Sequence, residues 1–323
     1  MAFIDMHCDT LTALMDGRSD GDLMRNRLSV DLARMKNNGG AIEFFACFVC
    51  LGRFKDHNPD EAWDYVMRTL DYYEKNRKKY PNDCRKVEKY EDVDRILSGN
   101  SMSPVGTLLT VEEGGVLNGS MERLKVLFDR GVRLITLTWN YDNCLGHPNH
   151  RDPEKNSLGL TPFGFEAVEE MERLGMIVDV SHLSDGGFYD VANRARKPFV
   201  ASHSNARALC PHPRNLTDDM IRALAQKGGV AGLNFCPSFL DEKKGSTVEG
   251  MVGHLSHMIR VGGEDVAAIG TDFDGIEGPL EISNTGEMSK LHQALERAGF
   301  PPRVIDKIWY GNVRRVLGEV LPG

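Results

Sequence analysis

Side chains able to hold a cation or move a proton stand at the ends of short apolar runs: His7 and Asp9 in FIDMHCDT, Glu112 and Glu113 in VEEGG, His182 in DVSH, His203 in ASHS and Asp272 in GTDFDG. In an extended chain alternate residues share a face, so His7 and Asp9 can grip one cation. Glu112 and Glu113 are adjacent and face opposite ways, so only one enters a site. Singly, each residue has a plain explanation as a core histidine, a helix cap or a turn residue. Jointly they offer more ligands than one tetrahedral zinc takes. Two divalent ions about 3.5 to 4 Å apart, bridged by a carboxylate, would use them well. Such a pair makes hydroxide from a shared water at neutral pH and polarises a carbonyl, which is the chemistry of hydrolysis.

The elements that must position these residues alternate. Apolar runs at Ala2–Met6, Ala41–Val49, Val105–Val111, Val132–Thr138, Ile177–Val180, Phe199–Ser202, Val230–Phe235 and Val266–Gly270 read as strands. Helical stretches lie between them, among them Pro59–Lys79, Ser120–Arg130, Thr161–Leu174, Thr217–Gln226 and Thr247–Val261. Thr161 before Pro162, and Thr217 before Asp218 and Asp219, are helix starts with a hydroxyl cap. Eight strand–helix alternations predict an α/β fold, a (β/α)8 TIM-type barrel, as a single domain over residues 1–323. Barrel enzymes place their chemistry at the C-terminal ends of the strands, where the candidate residues stand. His182 and His203, 21 positions apart, fall at matching points of neighbouring strands. The irregular segment 140–160 follows the fourth strand and is expected to wall the site, with His147 and His150 within reach of it.

Hydrophobic residues at 41% and charged residues at 27% are ordinary for a soluble protein, and a formal net charge of −8 argues against nucleic-acid binding. The expectation is no membrane partner: no run is long enough to span a bilayer, and MAFIDMHCDT lacks the regions of a secretory signal. Seven scattered cysteines read as reduced thiols, and the location expected is cytoplasmic. Cys47 and Cys50 lie in one strand on opposite faces and suit packing better than a metal. His254 and His257, at i, i+3 on a helix, read as surface or packing residues.

HCD near the N-terminus, EGG at 113–115, SH at 181–182, SHSNAR at 202–207, PRN at 213–215 and GTDFDG at 270–275 occur in this order. Over residues 5 to about 318 the chain resembles the renal (membrane) dipeptidase family of zinc peptidases, within the amidohydrolase-like metal-dependent hydrolases. The resemblance implies two Zn2+ ions and a dipeptide substrate, with a D-residue tolerated at the C-terminal position. It implies that His7 and Asp9 hold one zinc, His182 and His203 the other, and Glu113 bridges them. Asp272 matches the acid that exchanges protons with the bridging water and the leaving amine; Asp274 is the fallback. Arg214 matches the arginine that binds the substrate carboxylate, whereas Arg207 can equally be a surface residue.

The chain departs from many of these relatives at Trp139, where they carry a histidine that orients the substrate. Indole donates one hydrogen bond and cannot carry a proton near neutral pH. Trp139 and Asn140 are taken as substrate-binding, and His147 or His150 can replace the missing imidazole. A homodimer is allowed but not dictated. Two other functions use the same residues: an amidohydrolase acting on N-acyl amino acids or lactones, and a catalytically silent metal- or peptide-binding relative.

Overall fold

The computed structural model describes residues 2–99 and 103–323. Its strands are β1 (Phe3–Cys8), β2 (Gly40–Phe48), β3 (Cys84–Lys86), β4 (Val105–Glu112), β5 (Val132–Thr136), β6 (Ile177–Asp179), β7 (Val200–Ala201), β8 (Val230–Leu233) and β9 (Ala267–Ile269). All pairings between them are parallel; β1 joins β2 and β9, and β2 joins β4, which closes eight strands into a (β/α)8 barrel. The eight predicted runs are these eight strands. The three-residue β3 was not foreseen; it extends the sheet beside the start of β4.

The inward face can be read from one hydrophobic cluster that draws on all eight barrel strands: Ile4 and Met6, Ile42 and Phe44, Leu108, Leu134, Ile177, Val200, Val230 and Ala268. Val93 and Ile96 of helix Tyr90–Leu97, with Val313, Val316 and Leu317 of helix Asn312–Val320, join it and plug the end where the strands begin. Residues of the other parity, such as Leu109, Val111 and Phe45, pack outward under the helices. Two residues beyond the plug on β6 and β7, and four on β4, β8 and β9, the same inward parity brings Asp179, Ser202, Glu112, Asn234 and Asp272 to the opposite mouth.

One strand breaks the alternation. Asp5 lies opposite Glu43 but Cys8 lies opposite Phe45, three steps on β1 against two on β2. This irregularity leaves Met6 inside the plug and still turns His7 into the barrel, with Cys8 outside.

The helix starts behave as their sequences suggest. The hydroxyls of Thr161, Thr217 and Thr247 accept the backbone N–H of Gly164, Met220 and Gly250 at 3.0, 3.2 and 3.1 Å. Segment 140–160 holds a short helix, Pro153–Asn156, and is tied to the end of β6 by Asn149 N–H donating to the His182 carbonyl at 2.7 Å.

Candidate active site

Glu112 stands at the centre of the mouth. Its Oε1 lies 3.0 Å from His182 Nε2 and 3.4 Å from His203 Nε2, and its Oε2 lies 3.2 Å from His7 Nε2. His7 Nε2 in turn lies 3.7 Å from Asp9 Oδ1 and 3.8 Å from Asp272 Oδ1. All six side chains are buried. Ligand atoms converge in three overlapping groups: Glu112–His182–His203, His7–Asp9–Glu112 and His7–His203–Asp272. Five of the predicted residues, His7, Asp9, His182, His203 and Asp272, thus meet in one cluster.

The glutamate needs correcting. Glu113, expected between the ions, is turned out of the barrel: its Oε1 accepts Gly115 N–H at 2.7 Å and Asn143 Nδ2–H at 2.5 Å, and its Oε2 accepts Trp139 N–H at 3.1 Å. The reason is strand phase. Leu108, Thr110 and Glu112 share the inward parity of β4, and Glu113 leaves the strand with φ of 112°. Burial, reinforced by the charge of Glu112 and opposed by its three hydrogen bonds, pushes the Glu113 carboxyl up to about 7. Glu112 behaves oppositely: burial works against its charge, but His7 and the other imidazoles hold it well below the usual carboxylate range. Burial likewise opposes a charge on His7, and Glu112 overrides it, raising the imidazole well above its ordinary value.

The donor set fits divalent metal. His7 Nε2 and His203 Nε2 are close to Glu112 yet misaligned for hydrogen bonding, and both are buried without a hydrogen-bond partner among the described residues, as is Asp9 Oδ1. At His182 the Nδ1 lies 3.1 Å from Asn140 Oδ1, which only accepts. Nδ1 therefore carries the hydrogen, and the Nε2 lone pair faces a carboxylate oxygen. Lone pairs set against each other in a buried site call for a cation between them. Ligand atoms about 2.1 Å from a tetrahedral ion are about 3.4 Å apart, near the spacings seen here. Burial keeps His182 neutral, pushed down to about 3, and holds His203 well below its ordinary value; neutral imidazole is the form that binds metal.

Asp272 Oδ2 accepts Asn234 Nδ2–H at 2.8 Å, and burial raises its carboxyl to about 7. Asp274, the fallback, faces elsewhere: its carboxylate accepts the Thr10 hydroxyl and Ser29 N–H. Gly275 packs so closely that a Cβ there would lie 2.3 Å from Asp9 Oδ2 and 2.7 Å from Asp272 Oδ1. Glu113, His182, Asp272 and Asp274 all leave strands with positive φ, strain of the kind that collects where side chains must be re-aimed.

A cavity of about 370 Å3 opens onto the cluster, lined by Asp9, Glu112, His182 and Asp272 together with Trp139 and Asn140. A larger cleft, about 560 Å3, lies at the other end of the barrel beside Gly40 and Ile96; among the described residues the metal-type clusters are all at the mouth. The Trp139 ring packs edge-on to Phe48 at 5.0 Å. His147 and His150 line a neighbouring groove, where His147 Nδ1 pairs with Asp142 at 2.9 Å and His150 Nδ1 accepts Asp152 N–H, so neither stands in for a histidine at position 139.

Arg214 is buried beside the cluster. Its guanidinium reaches Ser204 Oγ and the His203 carbonyl at 3.3 Å each, and its Nε has no partner among the described residues. Arg207 is committed elsewhere, to a two-point pair with Asp185 at 2.7 Å. His254 and His257 are buried packing residues, His254 Nδ1 accepting Ala206 N–H and His257 pairing with Asp218. Sequence reasoning overlooked Asn234 and Asp179. Both are polar residues at inward positions of strand ends, a signal available once the strand phase is known.

The family model described as membrane dipeptidase (peptidase family M19) matches residues 1–321. An uncharacterized protein in the pqqA 5′ region of Klebsiella pneumoniae is 37% identical over 217 residues, 65% of this chain and 80% of that protein. An uncharacterized dipeptidase of Schizosaccharomyces pombe is 32% identical over 300 residues, 88% of this chain and 71% of that one. Among solved structures, dipeptidase AC, a metallo peptidase of family M19, superposes with a TM-score of 0.90 at 27% identity, covering 100% of this chain and 99% of its own. A metallo peptidase from Rhodobacter sphaeroides, liganded with a phosphinate mimic of the dipeptide L-Ala-D-Ala, superposes with a TM-score of 0.89 at 26% identity, covering 99% of each chain.

Proposed function

The chain belongs to the membrane dipeptidase family, peptidase family M19, and we propose that this metallo-dipeptidase cleaves free dipeptides, including those with a C-terminal D-residue, using two zinc ions. The observation that carries this reading is Glu112, whose two oxygens face different ligand sets, His182 and His203 on one side and His7 on the other. Glu112, His182 and His203 would hold one ion, and His7, Asp9 and Glu112 the other. Bound zinc there supplies Lewis-acid polarisation of a carbonyl and acidifies a shared water.

The chain's own residues do the rest. With Oδ2 held by Asn234, Asp272 keeps Oδ1 free at the cluster to take a proton and hand it to the leaving amine. Arg214 binds the dipeptide's free carboxylate; it is buried, has an unpartnered Nε and, among the described residues, has no acid within ion-pair distance. A planar guanidinium there can hold a carboxylate through parallel hydrogen bonds and so limits the substrate to one residue beyond the scissile bond. Trp139 walls the cavity against Phe48 without exchanging a proton, and Asn140 orients His182 while lining the same space. Tolerance of a D-residue is supported by the L-Ala-D-Ala mimic bound to the Rhodobacter relative. Seven free cysteines support a reducing, cytoplasmic setting.

The test is Arg214→Ala assayed on dipeptides, their amides, N-acyl amino acids and lactones. Loss of a buried partner should lower kcat/KM for free-acid dipeptides about 30- to 1000-fold. Dipeptide amides should be similarly poor for both proteins. Equal slowing of acids and amides, or turnover of lactones or N-acyl amino acids above that of dipeptides, would overturn the reading.

A further inference from the structure

We propose that Asp179 and Ser202 are positioning residues that lock His203 as its Nδ1–H tautomer and thereby make the His182–His203–Glu112 half the tighter, first-filled ion site. The inference rests on the two-ion reading above.

Asp179, at the end of β6, is fully engaged. Its Oδ1 accepts Ser181 N–H at 3.0 Å and Ser202 N–H at 2.8 Å, and its Oδ2 accepts the hydroxyls of Thr136 at 2.7 Å and Ser202 at 2.6 Å. A serine hydroxyl has one hydrogen, and the nearest acceptor for that of Ser202 is this carboxylate. Ser181 Oγ, at 3.4 Å, is too distant to take that hydrogen from the carboxylate, and the contact of Ser202 Oγ with His203 Nδ1, at 2.7 Å, must then be one in which the oxygen accepts. His203 carries its hydrogen on Nδ1 and presents the Nε2 lone pair to Glu112. His182, in the same half, has its tautomer set by Asn140.

The β1 half has no such backing. Among the described residues, His7 Nδ1 is buried with no hydrogen-bond partner, and so are both carboxyl oxygens of Glu43, on the neighbouring strand. Outer partners that fix a ligating histidine are worth about 10- to 100-fold in metal affinity, so the two halves should bind unequally.

Zinc uptake by the full-length apoprotein, followed by competition with a chromophoric chelator, tests this. Wild type should bind in two steps of different affinity. Ser202→Ala should weaken the tighter step about 10- to 100-fold while changing the weaker one less than about 3-fold, and Ser202→Thr, which keeps the hydroxyl, should restore it. Asp179→Asn is isosteric and turns an acceptor into a donor toward Ser202. The serine hydrogen then points to His203 Nδ1 and the ring hydrogen moves to Nε2, so the tighter step should fall further than in Ser202→Ala. If Ser202→Ala does not fold, Asp179→Asn decides alone. Two-step wild-type uptake with the tighter step untouched, or both steps weakened alike, overturns the positioning role. Uptake of a single ion by wild type, still weakened by Ser202→Ala or Asp179→Asn, instead overturns the two-ion reading and with it the filling order.

Discussion

Two walls of the same barrel support the two halves of the metal cluster, and they are built differently. Behind His203, a carboxylate and two hydroxyls form a chain in which every hydrogen has an assigned acceptor. On the β1 side, His7 Nδ1 and the buried carboxyl of Glu43 have no hydrogen-bond partners among the described residues, and Glu43 sits across the strand pair from Asp5. Burial, reinforced by the charge of Asp5, pushes the Glu43 carboxyl well above its ordinary range. The first wall is pre-organised. The second depends on what binds in front of it, and Glu112 is the one side chain common to both halves.

Removing that shared group should have the largest effect. Glu112→Gln should lose on the order of 10³-fold or more in kcat/KM, several kcal/mol of charge stabilisation, because it weakens both halves at once. Glu113→Gln should keep its zinc and lose far less. Metal content and steady-state rates of the two variants check this, and similar losses would break the comparison. Next in size is Asp272→Asn, which should keep both ions but lower kcat by about 10²-fold or more, as loss of a proton-transfer group does. Near wild-type turnover in the fully metallated variant would remove Asp272 from the reaction.

Gly275→Ala sharpens the contrast on the β1 side alone. The added methyl has no room beside Asp9 and Asp272, so it should weaken the second zinc step by about 10-fold, the low end of losses from disturbed ligand support, and leave the first unchanged. The smallest effect concerns Glu43. Its carboxyl titrates higher in the folded protein than in the unfolded chain, so the native state holds an extra proton above about pH 4.5. Stability should therefore fall as pH rises beyond that point, by at most about 1.4 kcal/mol per pH unit until the folded-state carboxyl itself titrates. Glu43→Gln removes this slope. Thermal melts of the zinc-loaded proteins at pH 6 and pH 8 should show the variant gaining on wild type at the higher pH; parallel behaviour would mean that Glu43 is ionised in the fold.

These contrasts also explain which parts of the site were legible in the sequence. His182 and His203 could be placed because one strand–helix repeat separates them and each follows an apolar run. Glu112 could not be told from Glu113, because the strand VGTLLTVE is buried on both faces. Parallel barrel strands of this kind are apolar at both parities, and their phase appears only when Leu108 is seen among the plug residues. The inward turn of His7 depends on the β1 irregularity, which no local pattern announced. The tight pair of Arg207 with Asp185 was hidden for a different reason: its partner lies 22 residues away and meets it only across the barrel rim. Asp179 and Ser202 were passed over as ordinary strand-end residues, since their importance lies in which hydrogens they accept and donate.

Anomalous diffraction at the zinc edge from zinc-loaded crystals would locate the ions against Glu112 and Glu113. Two peaks are expected at the barrel mouth, each with a Glu112 oxygen against it, and a Glu113 carboxylate still bonded to the backbone N–H groups of Gly115 and Trp139. A single peak at full loading, or Glu113 swung between two peaks with Glu112 displaced, would contradict the placement of Glu112 between two ions.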